Sequence, residues 1–170
     1  PGHPEANFRM GVISYHQKET DTAMESFRRS IKSNPDFVDG YYNLGIIHRK
    51  QKKPAKAREF FNKAIRIDPK DALSLYNLGV LQYVTLERLK AEKSFVDAIE
   101  SDEKLAEPHF FLGAMYQERG ERQRAKRELQ ATLRLNSKLA LPRVFLSAIL
   151  ETEGESQAAQ RELDQTIAIN

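Results

Sequence analysis

Residues 38–71 read VDGYYNLGIIHRKQKKPAKAREFFNKAIRIDPKD, and the spacing of small and large residues in this stretch decides the fold. Leu44-Gly45 is followed by Ala57, then by Phe61 and finally by Pro69. The first two features return every 34 residues, as Met10-Gly11, Leu44-Gly45, Leu78-Gly79 and Leu112-Gly113, and as Ala23, Ala57, Ala91 and Ala125. So strict a register predicts one helical hairpin repeated along the chain.

A bulky residue follows each of these alanines by four places, as Phe27, Phe61, Phe95 and Leu129. Small residues let two helices cross closely, and we expect the bulky side chains to fill the space that remains. The residue before a proline avoids helical angles, so Pro35 and Pro69 predict where the second helix of a hairpin ends. Glu103 and Ser137 replace the proline in later repeats.

This pattern resembles the tetratricopeptide repeat, and the resemblance covers essentially the whole chain. It implies an all-α fold, a right-handed superhelical solenoid of antiparallel helix pairs. We place the repeats at 4–37, 38–71, 72–105 and 106–139, with a degenerate fifth at 140–170, in a single domain over residues 1–170. The fifth departs from the pattern because Ser147 replaces the glycine and Leu163 replaces the phenylalanine.

The two ends of the chain also fall in register. Pro1 occupies the place of Pro35 in a preceding repeat, and Asn170 stands just before the next expected proline. We therefore expect the chain to be a fragment of a longer protein. The last helix keeps apolar residues, Leu163, Ile167 and Ile169. Either more protein covers this face, or the terminal repeats pair with another copy to form a homo-oligomer.

Composition narrows the class of partner. The 170 residues carry a net charge of +3, which is not the strongly basic balance typical of a nucleic-acid binder, so we predict no nucleic acid partner. No apolar run approaches the roughly 18 residues of a membrane span, and none is predicted. The chain has no cysteine, which does not distinguish a cytoplasmic protein, the favoured case, from a periplasmic one.

The resemblance places ligands on the concave face, which is lined by the first helix of each repeat. An aromatic residue recurs there at 34-residue intervals, and rigid rings suit a peptide groove. The predicted groove residues are Phe8, Val12, Tyr15, Tyr42, Asn43, Arg49, Tyr76, Asn77, Tyr83, Phe110 and Phe111. The alternative is that these rings simply pack against neighbouring helices.

Two asparagines one repeat apart, Asn43 and Asn77, form a short ladder in this groove. An amide both donates and accepts, so the pair could bind the backbone of an extended peptide without reading its sequence. The alternative is two exposed amides on a helix face.

One subclass of these domains clamps the acidic tails of chaperones with lysine, arginine and asparagine. The corresponding places here hold Phe8, Val12, Asn43, Leu73 and Asn77. Without the cations a terminal carboxylate lacks a charge-assisted partner, so we predict no such clamp.

The turn of the second repeat is basic, with Lys50, Lys52, Lys53 and Lys56. Such a run could dock an acidic protein segment or a phosphate-rich surface, or it could be an ordinary solvated turn.

Enzyme motifs are missing from the sequence, and the four histidines lack the spacing of metal ligands. We predict no catalytic residue, metal or cofactor. The predicted function is a protein–protein interaction module that binds a peptide or partner segment in its concave groove. Two alternatives remain: a substrate-recruiting arm of a larger enzyme such as a glycosyltransferase, and a self-associating assembly scaffold.

Overall fold

The computed structural model describes residues 3–169 of the chain, with side chains described to residue 168. The chain divides into two compact units, named here unit 1 (Pro1–Ser94) and unit 2 (Phe95–Asn170). The register of Pro1 and Asn170 lies outside the described residues, as does the side chain of Ile169. The single domain over residues 1–170 stays a prediction.

All the regular structure in residues 3–169 is helical, which confirms the all-α class. First and second helices alternate with lengths of 13 and 14 residues. The helices are α1 (Pro4–His16), α2 (Thr20–Ser33), α3 (Val38–Lys50), α4 (Pro54–Ile67), α5 (Ala72–Val84), α6 (Arg88–Ser101), α7 (Ala106–Glu118), α8 (Arg122–Leu135), α9 (Ala140–Thr152) and α10 (Ser156–Ile169).

Unit 1 is a stack of helical hairpins. Helix α1 packs on α2 and α3 packs on α4, as the repeat pattern predicts. Each second helix also packs on the next first helix, α2 on α3 and α4 on α5, and α3 contacts α5 directly. The first helices therefore lie side by side, and we call the surface that α1, α3 and α5 form the first-helix face of unit 1.

The helix crossings in unit 1 explain the glycines of the pattern. A Cβ atom on Gly11 would lie 2.6 Å from Cε1 of Phe27, and one on Gly45 would lie 2.6 Å from Cε1 of Phe61. Both phenylalanine side chains are fully buried. The predicted pairing of a small residue with a bulky one is confirmed, because the ring occupies the space that a side chain would need.

The turn between the two helices of a hairpin has a recurring backbone conformation. Between residues 3 and 169 the central residue of this turn has positive φ five times, at Lys18 (66°), Lys52 (56°), Leu86 (63°), Gly120 (74°) and Gly154 (78°). These residues are 34 apart, so the repeat extends to a left-handed turn position. Glycine adopts this conformation freely, whereas other residues adopt it at a cost.

The second helices end at an Asn or Asp whether or not a proline follows. Asn34 and Asp68, which precede prolines, have extended backbone angles, and so does Asn136, which precedes a serine. Each side-chain oxygen accepts a hydrogen bond from the backbone N–H two residues on, at 2.9–3.2 Å for Asp68, Asp102 and Asn136. This local turn ends the helix where proline is absent.

Unit 2 contains two further hairpins, α7 with α8 and α9 with α10, and α8 packs on α9. Here a Cβ on Gly113 would lie 2.9 Å from Cγ of Leu129, so leucine takes the place of the ring. The degenerate fifth repeat also folds as a hairpin. Its Ser147 is buried, while Leu163 is 37% exposed and Ile167 is 73% exposed.

Candidate functional site

The first two predicted groove rings lie partly against the core of unit 1. Phe8 is half-buried, and its ring centroid is 5.7 Å from that of Phe27 and 5.4 Å from that of Phe37. Tyr42 is half-buried with its ring centroid 6.2 Å from that of Phe61. Each ring therefore has a packing role, and only its exposed part is open to a ligand. Peptide contact at these rings stays a prediction.

Other predicted groove residues of unit 1 are also half-buried. Val12 packs against the cluster around Phe27. The ammonium of Lys50 lies 4.8 Å above the ring of Tyr15, and the guanidinium of Arg88 lies 4.0 Å above the ring of Tyr83. These cation–π contacts hold both rings in place. Tyr76 is half-buried on α5.

The two asparagines of the predicted ladder have the same helical contact but different burial. Nδ2 of Asn43 donates to the backbone oxygen of Asp39, and Nδ2 of Asn77 donates to that of Leu73, both at 2.8 Å. Asn43 is half-buried, whereas Asn77 is 2% exposed. The carbonyl oxygen Oδ1 of Asn77 is buried and has no hydrogen-bond partner among the described residues.

Six further buried side-chain polar atoms in unit 1 lack a partner among the described residues. Three of these six belong to residues that influence the Tyr42 hydroxyl electrostatically: the hydroxyl of Tyr15, Nε of Arg49 and Oδ2 of Asp71. Burial raises the pKa of the Tyr42 hydroxyl and the Asp71 carboxylate raises it further, while Arg49 and a hydrogen bond with Asn77 lower it. We name Tyr15, Tyr42, Arg49, Asp71 and Asn77 the polar cluster.

A second carboxylate lies beside the polar cluster. Partial burial raises the pKa of Asp39, and the negative charge of Asp71 raises it further. No sequence pattern singles out Asp71. The available signal was its place directly before the first residue of α5.

The aromatic residues of unit 2 contact one another. Phe111 stacks on Phe95 with centroids 5.1 Å apart and ring planes 16° apart. Phe110 meets Phe111 edge-on at 5.7 Å and Phe145 edge-on at 5.5 Å. We name Phe95, Phe110, Phe111 and Phe145 the aromatic set. Phe110 and Phe111 are half-buried, and their predicted ligand contact stays a prediction.

The basic turn of the second repeat is solvent-exposed. Lys50, Lys52, Lys53 and Lys56 are all exposed. Lys53 donates to Oε1 of Gln51 at 3.0 Å. Docking of an acidic segment at this turn stays a prediction.

Titratable groups elsewhere form pairs. Nδ1 of His109 lies 2.7 Å from Oε2 of Glu128. Among the described residues no group of three His, Cys, Asp or Glu side chains is arranged to hold a metal ion. No helix in this part of the chain has both the length and the apolar character to cross a bilayer.

Comparison with known proteins gives two sequence matches to one family. Residues 5–36 and residues 38–71 each match a family model described as tetratricopeptide repeat. No curated protein matches the chain at a significant level.

Solved structures are similar to the chain over nearly its whole length. The crystal structure of MamA is 20% identical with a TM-score of 0.77, covering 94% of each chain. The pilF protein of Pseudomonas aeruginosa is 20% identical with a TM-score of 0.88, covering 98% of this chain and 76% of its own. YrrB, described as a TPR protein with an unusual peptide-binding site, is 20% identical with a TM-score of 0.71, covering 96% of this chain and 84% of its own.

These comparisons agree with the helix pairs and with the 34-residue register. At such identities the structural likeness shows the fold, and the two family matches identify the first two repeats by sequence. Residues 5–36 and 38–71 are therefore tetratricopeptide repeats, and the helix pairs that follow share the fold of this family.

Proposed function

We propose that this chain, a protein-interaction module, binds an extended peptide segment of a partner protein on the first-helix face of unit 1. The observation that carries the proposal is the polar cluster, where four buried polar atoms have no partner among the described residues. Leaving a buried donor or acceptor unpaired costs about 1–3 kcal/mol. Several such groups at one place favour a surface that a ligand completes.

The chemistry of the four atoms matches a peptide backbone. The hydroxyl of Tyr15 and Nε of Arg49 donate hydrogen bonds, while Oδ2 of Asp71 and Oδ1 of Asn77 accept them. Each residue of an extended peptide offers one N–H and one C=O. Tyr15 and Arg49 are only half-buried as whole residues, so we propose that a bound peptide draws their polar atoms towards the surface.

The rings beside the polar cluster supply apolar contact area. Tyr42 and Tyr76 are half-buried on neighbouring first helices, so each keeps an exposed part. Aromatic side chains bury a large area at low entropic cost. We propose that the rings anchor apolar side chains of the peptide while the polar cluster holds its backbone. YrrB, with its described peptide-binding site, is a structural precedent for a ligand of this class.

The experiment is a selection of random 12-residue displayed peptides on the full chain, followed by anisotropy titration of the enriched peptides. Asn77→Ala removes the unpartnered oxygen and is expected to weaken binding about tenfold, the effect of about 1.4 kcal/mol. Tyr15→Phe, which removes only a hydroxyl, is expected to act in the same direction. The matched control is Asn43→Ala, which removes an amide at the same repeat position outside the polar cluster.

The outcomes separate two forms of the site. A loss of peptide affinity with Asn77→Ala, together with little change with Asn43→Ala, supports binding at the polar cluster. Equal losses with both variants support the two-asparagine ladder instead. If no peptide is enriched, or if enriched peptides bind Asn77→Ala with unchanged affinity, the first-helix face of unit 1 is not the binding surface.

A further inference from the structure

The turn of the third repeat exposes three large apolar side chains. Val84 at the end of α5 is 67% exposed, Leu86 in the turn is 73% exposed and Leu89 in the first turn of α6 is 80% exposed. We name these three residues the turn patch. They lie within six residues of chain, so their exposed surfaces form one local group.

Leu86 contributes little to the stability of the fold. It occupies the left-handed turn position, with φ of 63°, that Gly120 and Gly154 occupy in later repeats. A leucine is less favourable than a glycine in this conformation. Because its side chain is also largely in water, neither backbone preference nor burial explains a leucine here. A residue in a costly conformation that contributes little to packing is a candidate for a functional contact.

A cleft of about 350 Å³ adjoins the turn patch. Its lining consists of Arg49, Lys52, Pro54, Leu81, Val84 and Thr85. The lining thus combines apolar walls with two cations and includes no carboxylate among the described residues. Charge complementarity favours an acidic occupant.

The carboxylate that belongs to this turn is already engaged. Glu87 pairs with Arg58 and, at 2.9 Å, with Lys90. Hydrogen bonds from Arg58, Lys90 and Thr85 lower the pKa of Glu87 to about 2. Arg58 also donates to Oγ1 of Thr85 at 3.1 Å, which fixes the turn against α4. Glu87 is therefore not free to neutralise the cations of the cleft.

We propose that the turn patch and the adjoining cleft bind an acidic amphipathic segment of a partner protein. Its apolar side chains contact Val84, Leu86 and Leu89, and its carboxylates pair with Lys52 and the guanidinium of Arg49. A protein segment is favoured over an anionic membrane because a cleft with apolar walls receives a single side chain. This surface goes beyond the proposed function, since it needs neither Asn77 nor Tyr42 and shares only Arg49 with the polar cluster.

The experiment selects random 12-residue displayed peptides on the wild-type chain after depletion on Leu86→Gly. The variant removes the side chain from a position where glycine is preferred, so its urea unfolding midpoint is expected to equal or exceed that of the wild type. The control is Lys18→Gly, the same change of backbone preference in the first repeat. A second variant, Lys52→Glu, reverses the charge in the cleft.

We expect the surviving peptides to combine Asp or Glu with large apolar residues. Their affinity should fall at least tenfold with Leu86→Gly and with Lys52→Glu, and should stay unchanged with Lys18→Gly and with Asn77→Ala. Survival of no peptide, or of peptides without acidic residues, overturns the proposal. Sedimentation with vesicles of phosphatidylserine and phosphatidylcholine tests a membrane as the alternative occupant. Vesicle binding that is lost with Leu86→Gly identifies a membrane surface and also overturns the proposal.

Discussion

The first helices of the two units place different chemistry at the same repeat position. Unit 1 has Asn43 and Asn77 there, and Asn77 belongs to a cluster with unpaired polar atoms. Unit 2 has Phe111 and Phe145, whose rings belong to the aromatic set. The repeat pattern that builds the fold therefore does not fix the residue type at this position. In unit 2 it serves packing, and in unit 1 it leaves hydrogen-bonding capacity unused.

The largest expected effect on stability comes from placing the asparagine of unit 1 at the corresponding position of unit 2. Phe111→Asn removes the stack on Phe95 and brings an amide into an apolar set, so we expect a loss of about 3 kcal/mol in the free energy of unfolding. Urea unfolding followed by circular dichroism measures it. Phe111→Leu is the control and should cost about 1 kcal/mol. A loss below about 0.5 kcal/mol for Phe111→Asn would show that the aromatic set does not support unit 2.

A smaller effect distinguishes the helix crossings of the two units. Gly45→Ala places a methyl group against the buried ring of Phe61, so we expect a net loss of about 1–2 kcal/mol after the gain in helix propensity. Gly113→Ala faces the more adaptable Leu129 and should cost less than half as much. Adding Phe61→Leu to Gly45→Ala should recover part of the loss. Equal costs at the two glycines, with no recovery, would contradict the pairing of small and bulky residues.

The units also differ in the buried residue that lies three positions after the glycine of each crossing. In unit 1 it is His48, which is 3% exposed and stacks on Phe60 at 5.3 Å. In unit 2 it is Tyr116, whose hydroxyl accepts from Arg124 at 2.8 Å. Burial lowers the pKa of His48, and the charges of Lys56 and Lys53 lower it further. Only the unit 1 residue is therefore expected to respond to mildly acidic pH.

The sign of this response follows from the direction of the shift. Because the folded pKa lies below the unfolded value of 6.5, the unfolded state binds the proton first as the pH falls. The contribution of neutral His48 to the free energy of unfolding is complete above pH 6.5. It is lost as the pH falls below 6.5, by less than about 1.4 kcal/mol per pH unit. Urea unfolding at pH 7.5 and 5.5 should show a greater decrease for the wild type than for His48→Phe. An equal decrease in both proteins would exclude His48 as the source.

The smallest expected change in stability is at Asn77. Asn77→Leu removes an unpaired buried oxygen, which restores about 1–3 kcal/mol, and adds volume that costs a similar amount. We therefore expect unfolding free energy within about 1 kcal/mol of the wild type, together with about tenfold weaker binding of selected peptides. Urea unfolding and anisotropy measure the two effects. A strongly destabilised variant would mean that the Asn77 oxygen is paired in solution.

The periodic features of the fold were accessible from the sequence. The close helix crossing at Gly45 and the large side chain of Phe61 recur in successive repeats, so the fixed spacing of the two residues predicts their pairing. The C-terminal ends of α2 and α4 were predicted in the same way, from Pro35 and Pro69. Asn136 shows the limit, since there an asparagine side chain ends the helix without proline, and its turn is a weaker sequence signal.

The candidate site was less accessible because side-chain pairing is not periodic. The sequence placed Tyr42 and Asn77 on one face, but it did not indicate that Asn77 donates to its own helix and leaves an oxygen unpaired. Asp71 was missed because it precedes a helix and belongs to no repeated pattern. Leu86 was missed because an exposed leucine is unremarkable until its backbone conformation is known.

The most direct test of the central claim is a map of backbone amide chemical shifts in the full chain during titration with a selected peptide. If the peptide binds at the polar cluster, we expect shifts concentrated in α1, α3 and α5, around Tyr15, Tyr42 and Asn77, with little change around Phe111 in α7. Shifts concentrated in α7 and α9, with α3 and α5 unchanged, would contradict that claim.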